Sequence, residues 1–159
     1  MNLWRLDCGA QTILVGGDEN LAEVFYWGAL LPESENLKSI WNITRLDYSG
    51  GVLDGVPALS ICPEVSKTFN GHPGMRIRGA SGKRLYPNFR LTNAKLSKTS
   101  LLLEYEDPEI GLTYKANFRA HKETSVFELS ASLTANTDIL VDWFAAPVLP
   151  ATQAAEKMI

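Results

Sequence analysis

From Phe89 onward, apolar and polar residues alternate with a period of two. Leu112, Tyr114, Ala116 and Phe118 are separated by polar residues, as are Phe127, Leu129, Ala131 and Leu133. Successive side chains of a strand point to opposite faces, so this alternation predicts strands with one buried and one wet face. The pattern predicts strands over 89–96, 100–106, 112–120, 125–135 and 139–149. The breaks between them (Ser97-Lys98-Thr99, Asp107-Pro108-Glu109, His121-Lys122-Glu123-Thr124 and Asn136-Thr137-Asp138) are short and polar. An antiparallel meander in an all-β sandwich is the expected result.

The first half is less regular. Gln11-Thr12-Ile13-Leu14-Val15 reads as a strand closed by Gly16-Gly17-Asp18, and Glu23-Val24-Phe25-Tyr26-Trp27-Gly28 as a second. Between them and Asp47 the period changes. Leu37, Ile40 and Trp41 fall at helical spacing behind Ser34, a candidate N-cap, which predicts one short helix over 35–45. Residues 62–87 are rich in proline and glycine and read as loop, with a short strand at Met75-Arg76-Ile77-Arg78.

One stretch, Gly50-Gly51-Val52-Leu53-Asp54-Gly55-Val56-Pro57-Ala58-Leu59-Ser60-Ile61, stands out for its chemistry. Paired glycines permit a sharp reversal, and Pro57 blocks helix, so Ala58 to Ile61 is expected to lead into a strand. Asp54 is then a carboxylate on a tight loop at the head of that strand. Two readings stand side by side: an Asp that bonds its own backbone in a turn, or a ligand-facing carboxylate on a rigidly held loop.

Composition narrows the function classes. A chain of 159 residues, 45% hydrophobic and 21% charged, fits one domain with its own core. The net charge of −3 offers no footprint for nucleic acid. The densest basic group, Arg76, Arg78, Lys83 and Arg84, has no regular helical face and reads as a solvated loop. No run is long enough to span a membrane, and the charged N-terminus does not resemble a signal peptide. Cys8 and Cys62 are too few for a disulfide framework and are expected to be buried in a reducing compartment. A cytoplasmic protein is the expectation.

Catalytic motifs are lacking. His72 and His121 have no second metal ligand at useful spacing, Gly79-Ala80-Ser81-Gly82 is not a nucleophile elbow, and Gly82-Lys83 is not a phosphate loop. No metal or cofactor is expected. Four tryptophans can pack in a core or lie against the apolar face of a sugar. Core packing is expected for Trp27 and Trp143, on strands, whereas Trp4 and Trp41 are freer, which makes Trp41 a candidate sugar-contacting residue.

Three stretches together resemble one family. They are Leu21-Ala22-Glu23-Val24-Phe25-Tyr26-Trp27-Gly28, Gly50 to Ser60, and Trp143-Phe144-Ala145-Ala146-Pro147-Val148-Leu149-Pro150. In this order they are similar to the N-terminal region of bacterial α-galactosidases of glycoside hydrolase family 36. Ala22 departs from the family, which usually has proline there. The resemblance implies a galactose-mutarotase-like β-supersandwich, only partly present, with residues 1–159 forming an N-terminal domain truncated at its C-terminal end. It also implies a catalytic (β/α)₈ barrel, missing here, that carries both catalytic aspartates of a retaining mechanism. The chain alone is therefore expected to be inert, to partner that barrel and to form a homo-oligomer. Asp54 matches a family aspartate that reaches into the galactose pocket, in some members from a neighbouring subunit. The rival readings are a stand-alone carbohydrate-binding module without hydrolase activity and a purely structural domain in which Asp54 caps a turn.

Overall fold

The computed structural model describes residues 1–44, 59–67, 69 and 71–150. Among these residues, ten strands form three antiparallel sheets, with one short α-helix. The meander is as the alternation predicts: β6 (Arg90–Leu96), β7 (Ser100–Asp107), β8 (Leu112–His121) and β9 (Val126–Ala135) pair in sequence order. Leu101, Leu103 and Tyr105 on β7 lie opposite Phe118, Ala116 and Tyr114 on β8, and all six are fully buried. Their polar alternates face outward, where Lys115 joins Glu104 at 2.7 Å and Glu104 also accepts from Asn93.

A sheet of β1 (Asn2–Cys8), β2 (Gln11–Gly17) and β3 (Glu23–Ala29) packs across this inner face. Trp4 and Leu6 of β1 pair with Val15 and Ile13 of β2 and join the same core as Tyr105 and Tyr114. The period-two pattern had not separated β1 from the charged N-terminus, because Arg5 and Asp7 fall on its outer face. Tyr105 crosses the sandwich to accept the Ala22 backbone N–H at 3.2 Å.

The third sheet orders its strands β10 (Ile139–Phe144), β4 (Met75–Gly79) and β5 (Arg84–Leu85). The strand expected over 139–149 thus ends at Phe144. Beyond it, Ala145 donates to the Gly74 carbonyl and Val148 to that of Ile61, so the chain leaves ladder pairing to tie down the central loop.

The outer face of β2 has its own cover. Arg5 donates to the carbonyls of Leu31 and Pro32, and Thr12 Oγ1 accepts the Leu31 N–H at 3.1 Å. This strap leads into α1 (Leu37–Thr44), whose cap is Asn36 rather than Ser34: its Oδ1 accepts from the backbones of Lys38 and Ser39. The helix sets Trp41 over Gly16, where a Cβ would lie 2.5 Å from the indole.

Two tryptophan expectations are reversed. Trp4 and Trp41 are buried, whereas Trp27 and Trp143 are 38% and 47% exposed. Alternation fixes which residues share a face but not which face is covered; among the described residues β3 and β10 end their sheets, and their tryptophans are on the exposed sides. Both cysteines are free and buried, as expected.

Close packing at Gly74 is directly testable. A Cβ there would meet Cys62 Sγ at 2.6 Å and Cys62 Cα at 2.8 Å. Backbone cannot yield as a flexible side chain can, so Gly74→Ala should destabilise the fold by about 1–3 kcal/mol, read as a lower urea midpoint. An unchanged midpoint would show that the 62–74 contact is loose.

Candidate functional site

Asp54 lies outside the described residues. The structure does show what borders its segment. On one side α1 is fixed by Trp41 against Gly16 and, edge-on, against Phe25 with ring centroids 5.0 Å apart. On the other side Ser60 bridges Glu23, and Ile61 donates to the Ala22 carbonyl at 2.8 Å. Both flanks are thus anchored to the β1–β3 sheet. Trp41 itself is only 8% exposed, and its ring takes part in that anchoring.

A cavity of about 520 Å³ occupies the other end of the central loop. Its buried walls come from Pro63, Met75, Ile77, Pro87 and Phe89, and its exposed rim from Arg76, Arg84 and Tyr86. Glu64 also lines it and is 8% exposed. Glu64 accepts the Phe89 N–H at 3.2 Å, and Ser66 Oγ donates to the Pro87 carbonyl at 2.7 Å. Next to them, buried Asp107 accepts the Asn88 N–H at 2.7 Å and also holds the amides of Glu109 and Ile110. Two carboxylates from different elements therefore hold two consecutive amides at the start of β6.

The electrostatics follow from burial. Desolvation pushes Glu64 up to about 6, against the opposing effect of the Phe89 hydrogen bond. Burial, with Glu64 adding to it, pushes the Cys62 thiol up to about 12. Cys62 therefore stays a neutral thiol and a poor nucleophile. Burial also raises Tyr105 and Tyr114, and the Tyr114 hydroxyl has no hydrogen-bond partner among the described residues.

At the rim, three of the four basic residues read as a solvated loop, Arg76, Arg78 and Arg84, instead lie on strands, and Lys83 lies in the turn between them. Arg78 on β4 faces Arg84 on β5, and Arg76 shares the Arg78 side of β4. The register of β10 on β4 shifts between Val141 and Trp143, leaving Asp142 as the extra residue. Asp142 takes a bidentate pair from Arg78, Nε to Oδ2 at 2.8 Å and Nη2 to Oδ1 at 2.6 Å. That hydrogen-bonded pairing, reinforced by Arg84 and Arg76, holds the Asp142 carboxyl below its ordinary range. The Arg-x-Arg alternation carried this signal in the sequence; the proline-rich surroundings obscured it.

Elsewhere, His121 at the end of β8 contacts Glu128 of β9 at 2.7 Å on an exposed face, and His72 lies edge-on against Trp143 with centroids 4.9 Å apart. Among the described residues no group of His, Cys, Asp or Glu could hold a metal ion, and no helix is long and apolar enough to cross a membrane.

The sequence matches no family model and no curated protein. Solved structures do match the fold. The GH36 α-galactosidase AgaA of Geobacillus stearothermophilus, in complex with raffinose, aligns with a TM-score of 0.71 at 15% identity, covering 91% of this chain and 24% of that one. AgaB of the same organism gives 0.63 at 12% identity, covering 92% of this chain and 24% of that one. The α-galactosidase of Lactobacillus brevis gives 0.63 at 14% identity, covering 91% and 23%. The chain thus has the fold of a region of GH36 α-galactosidases and spans about a quarter of the length of these proteins.

Glu64 predicts a pH dependence. Its folded pKa of about 6 exceeds the ordinary value of 4.5, so the folded state binds more protons between these values. Its contribution to stability is complete below pH 4.5 and is lost as pH rises through 6. Glu64→Gln keeps an acceptor for the Phe89 amide but cannot ionise. The stability of this variant relative to the parent should rise from pH 4.5 to 6.5 in urea titrations and stay level outside that window. A difference independent of pH would mean that Glu64 titrates normally.

Proposed function

We propose that this chain is an N-terminal, non-catalytic β-domain of an α-galactosidase, working beside a catalytic (β/α)₈ barrel in the cytoplasm. The observation that carries this reading is the fold match over 91–92% of the chain to α-galactosidases, AgaA and AgaB among them being GH36 enzymes. A shared fold alone does not fix function. The resemblance of Gly50 to Ser60 to the family's substrate-contacting segment supplies the chemical link.

In this reading the barrel carries out retaining hydrolysis of a terminal α-galactoside, and this domain lends Asp54 to the galactose pocket. Hydroxyls away from the reacting carbon can supply binding energy that is used at the reacting carbon. An ionised Asp54 accepting from one such hydroxyl would contribute roughly 1.5–3 kcal/mol. The role needs placement rather than a shifted pKa, and the anchored flanks on Ala22 and Gly16 support such placement.

In the α-galactosidase that contains this domain, Asp54→Asn should lower kcat/KM for p-nitrophenyl α-galactoside by about tenfold or more, with the thermal midpoint unchanged. Unaltered kinetics would sink the assignment. Galactose binding by the 159-residue chain alone would favour the stand-alone carbohydrate-binding module instead, since a shared pocket needs the barrel to be complete.

Homo-oligomerisation belongs to the same proposal. The ten-residue edge strand β9 pairs with β8 without a register shift, and Val141 and Trp143 on the edge strand β10 are 52% and 47% exposed. Long regular edges and apolar patches favour association. Sedimentation equilibrium of this chain should show concentration-dependent association at micromolar concentrations; a clean monomer throughout would overturn this part.

A further inference from the structure

We infer that the 520 Å³ cavity beneath the β4–β5 hairpin binds a small amphipathic anion, with its phosphate or carboxylate held by Arg76 and Arg84 and its apolar body between Met75, Ile77 and Leu85.

Charge crowding gives the first argument. Like charges directly opposite on paired strands repel, and Arg78 and Arg84 are directly opposite. Among the described residues one carboxylate, Asp142, bonds to this cluster, and Arg78 takes both of its oxygens. Arg76 and Arg84 each feel Asp142 at a distance, which leaves the rim with surplus positive charge. An oxyanion is what a pair of guanidinium groups recognises best.

Shape gives the second argument. Ligand cavities of roughly 300–1,000 Å³ usually combine apolar walls with a few convergent polar groups. Here Met75 and Ile77 are 8% and 2% exposed, Phe89 is fully buried, and the arginines stand at the exposed rim. The interior has an acid of its own, Glu64. A second negative charge placed beside it would be repelled, so the ligand's charged end belongs at the mouth and its uncharged end inside. Bare phosphate would leave the apolar walls unfilled, and a neutral sugar would leave the guanidinium pair unmatched.

Isothermal titration calorimetry of the 159-residue chain with phenyl phosphate and with phenylacetate tests this, using inorganic phosphate and acetate as controls. The expected result is saturable 1:1 binding of at least one phenyl compound, about tenfold or more tighter than its bare anion. The tighter of the two phenyl compounds identifies the headgroup. Binding should weaken by about tenfold in 0.5 M salt and in the Arg76→Gln/Arg84→Gln double variant. Both arginines are exposed, and circular dichroism checks that the variant is folded. Should it fail to fold, amide shifts of the parent protein on titration decide instead: shifts centred on Arg76, Ile77, Arg84 and Leu85 support the site, and shifts elsewhere overturn it. Equal affinity for phenyl phosphate and inorganic phosphate would mean an adventitious ion only and would overturn the proposal. So would undiminished binding by the double variant, or no saturable binding of either phenyl compound.

Discussion

The whole arrangement rests on two buried carboxylates, Glu64 and Asp107, holding the adjacent amides of Asn88 and Phe89. Among the described residues just before β6, 71–89 hold only the short strands β4 and β5, so their backbone groups cannot all be satisfied by ladder pairing. Asp107 sits at the end of β7 and caps both the start of β6 and the β7–β8 turn; Glu64 joins the central loop to the same point. Phe89 then enters the core against Tyr114, with ring centroids 5.6 Å apart. Removing either acceptor would leave a buried N–H unsatisfied, at a cost of about 1–3 kcal/mol. Glu64 gains its hydrogen bond and loses hydration at once. The rise of its pKa to about 6 shows that desolvation is the larger effect.

How much of this was legible in the sequence depended on the kind of constraint. The β6–β9 meander was legible because four strands in succession share one wet face, so period two repeats between short polar turns. β1 is not legible in the sequence because its outward residues, Arg5 and Asp7, resemble a charged terminus, and only the pairing of Trp4 and Leu6 with β2 distinguishes it. The helix was found, but its cap moved from Ser34 to Asn36, where the Leu31–Pro32 strap sets the start. β5 has only two residues, too few for any period to register.

The candidate site was legible differently. Asp54 drew notice through local turn chemistry and the family likeness, neither of which requires tertiary structure. The cavity could not be foreseen, because its residues come from the central loop, two strands and a bulge on β10 that sequence spacing does not bring together. Trp41 shows the converse limit. Its helical spacing was read correctly, but the absence of a Cβ on Gly16, twenty-five positions earlier, is what admits its ring and buries it.

Fold likeness and site chemistry therefore point to different parts of this molecule. The β-sandwich itself requires only that inner faces be apolar and edges manageable, and many sequences meet that demand, as identities of 12–15% to the matched structures illustrate. It does not require Arg78 to face Arg84 with Arg76 alongside. A hairpin shaped by stability alone would avoid that opposition or supply a second carboxylate. Among the described residues one carboxylate bonds Arg78 and faces Arg76 and Arg84 at longer range, and the bulge that presents it also interrupts the β10–β4 ladder. Local departures from what stabilises a fold are where function is expected to lie. On that ground the hairpin rim, rather than the regular sheets, is the part of the described structure that the fold alone leaves unexplained.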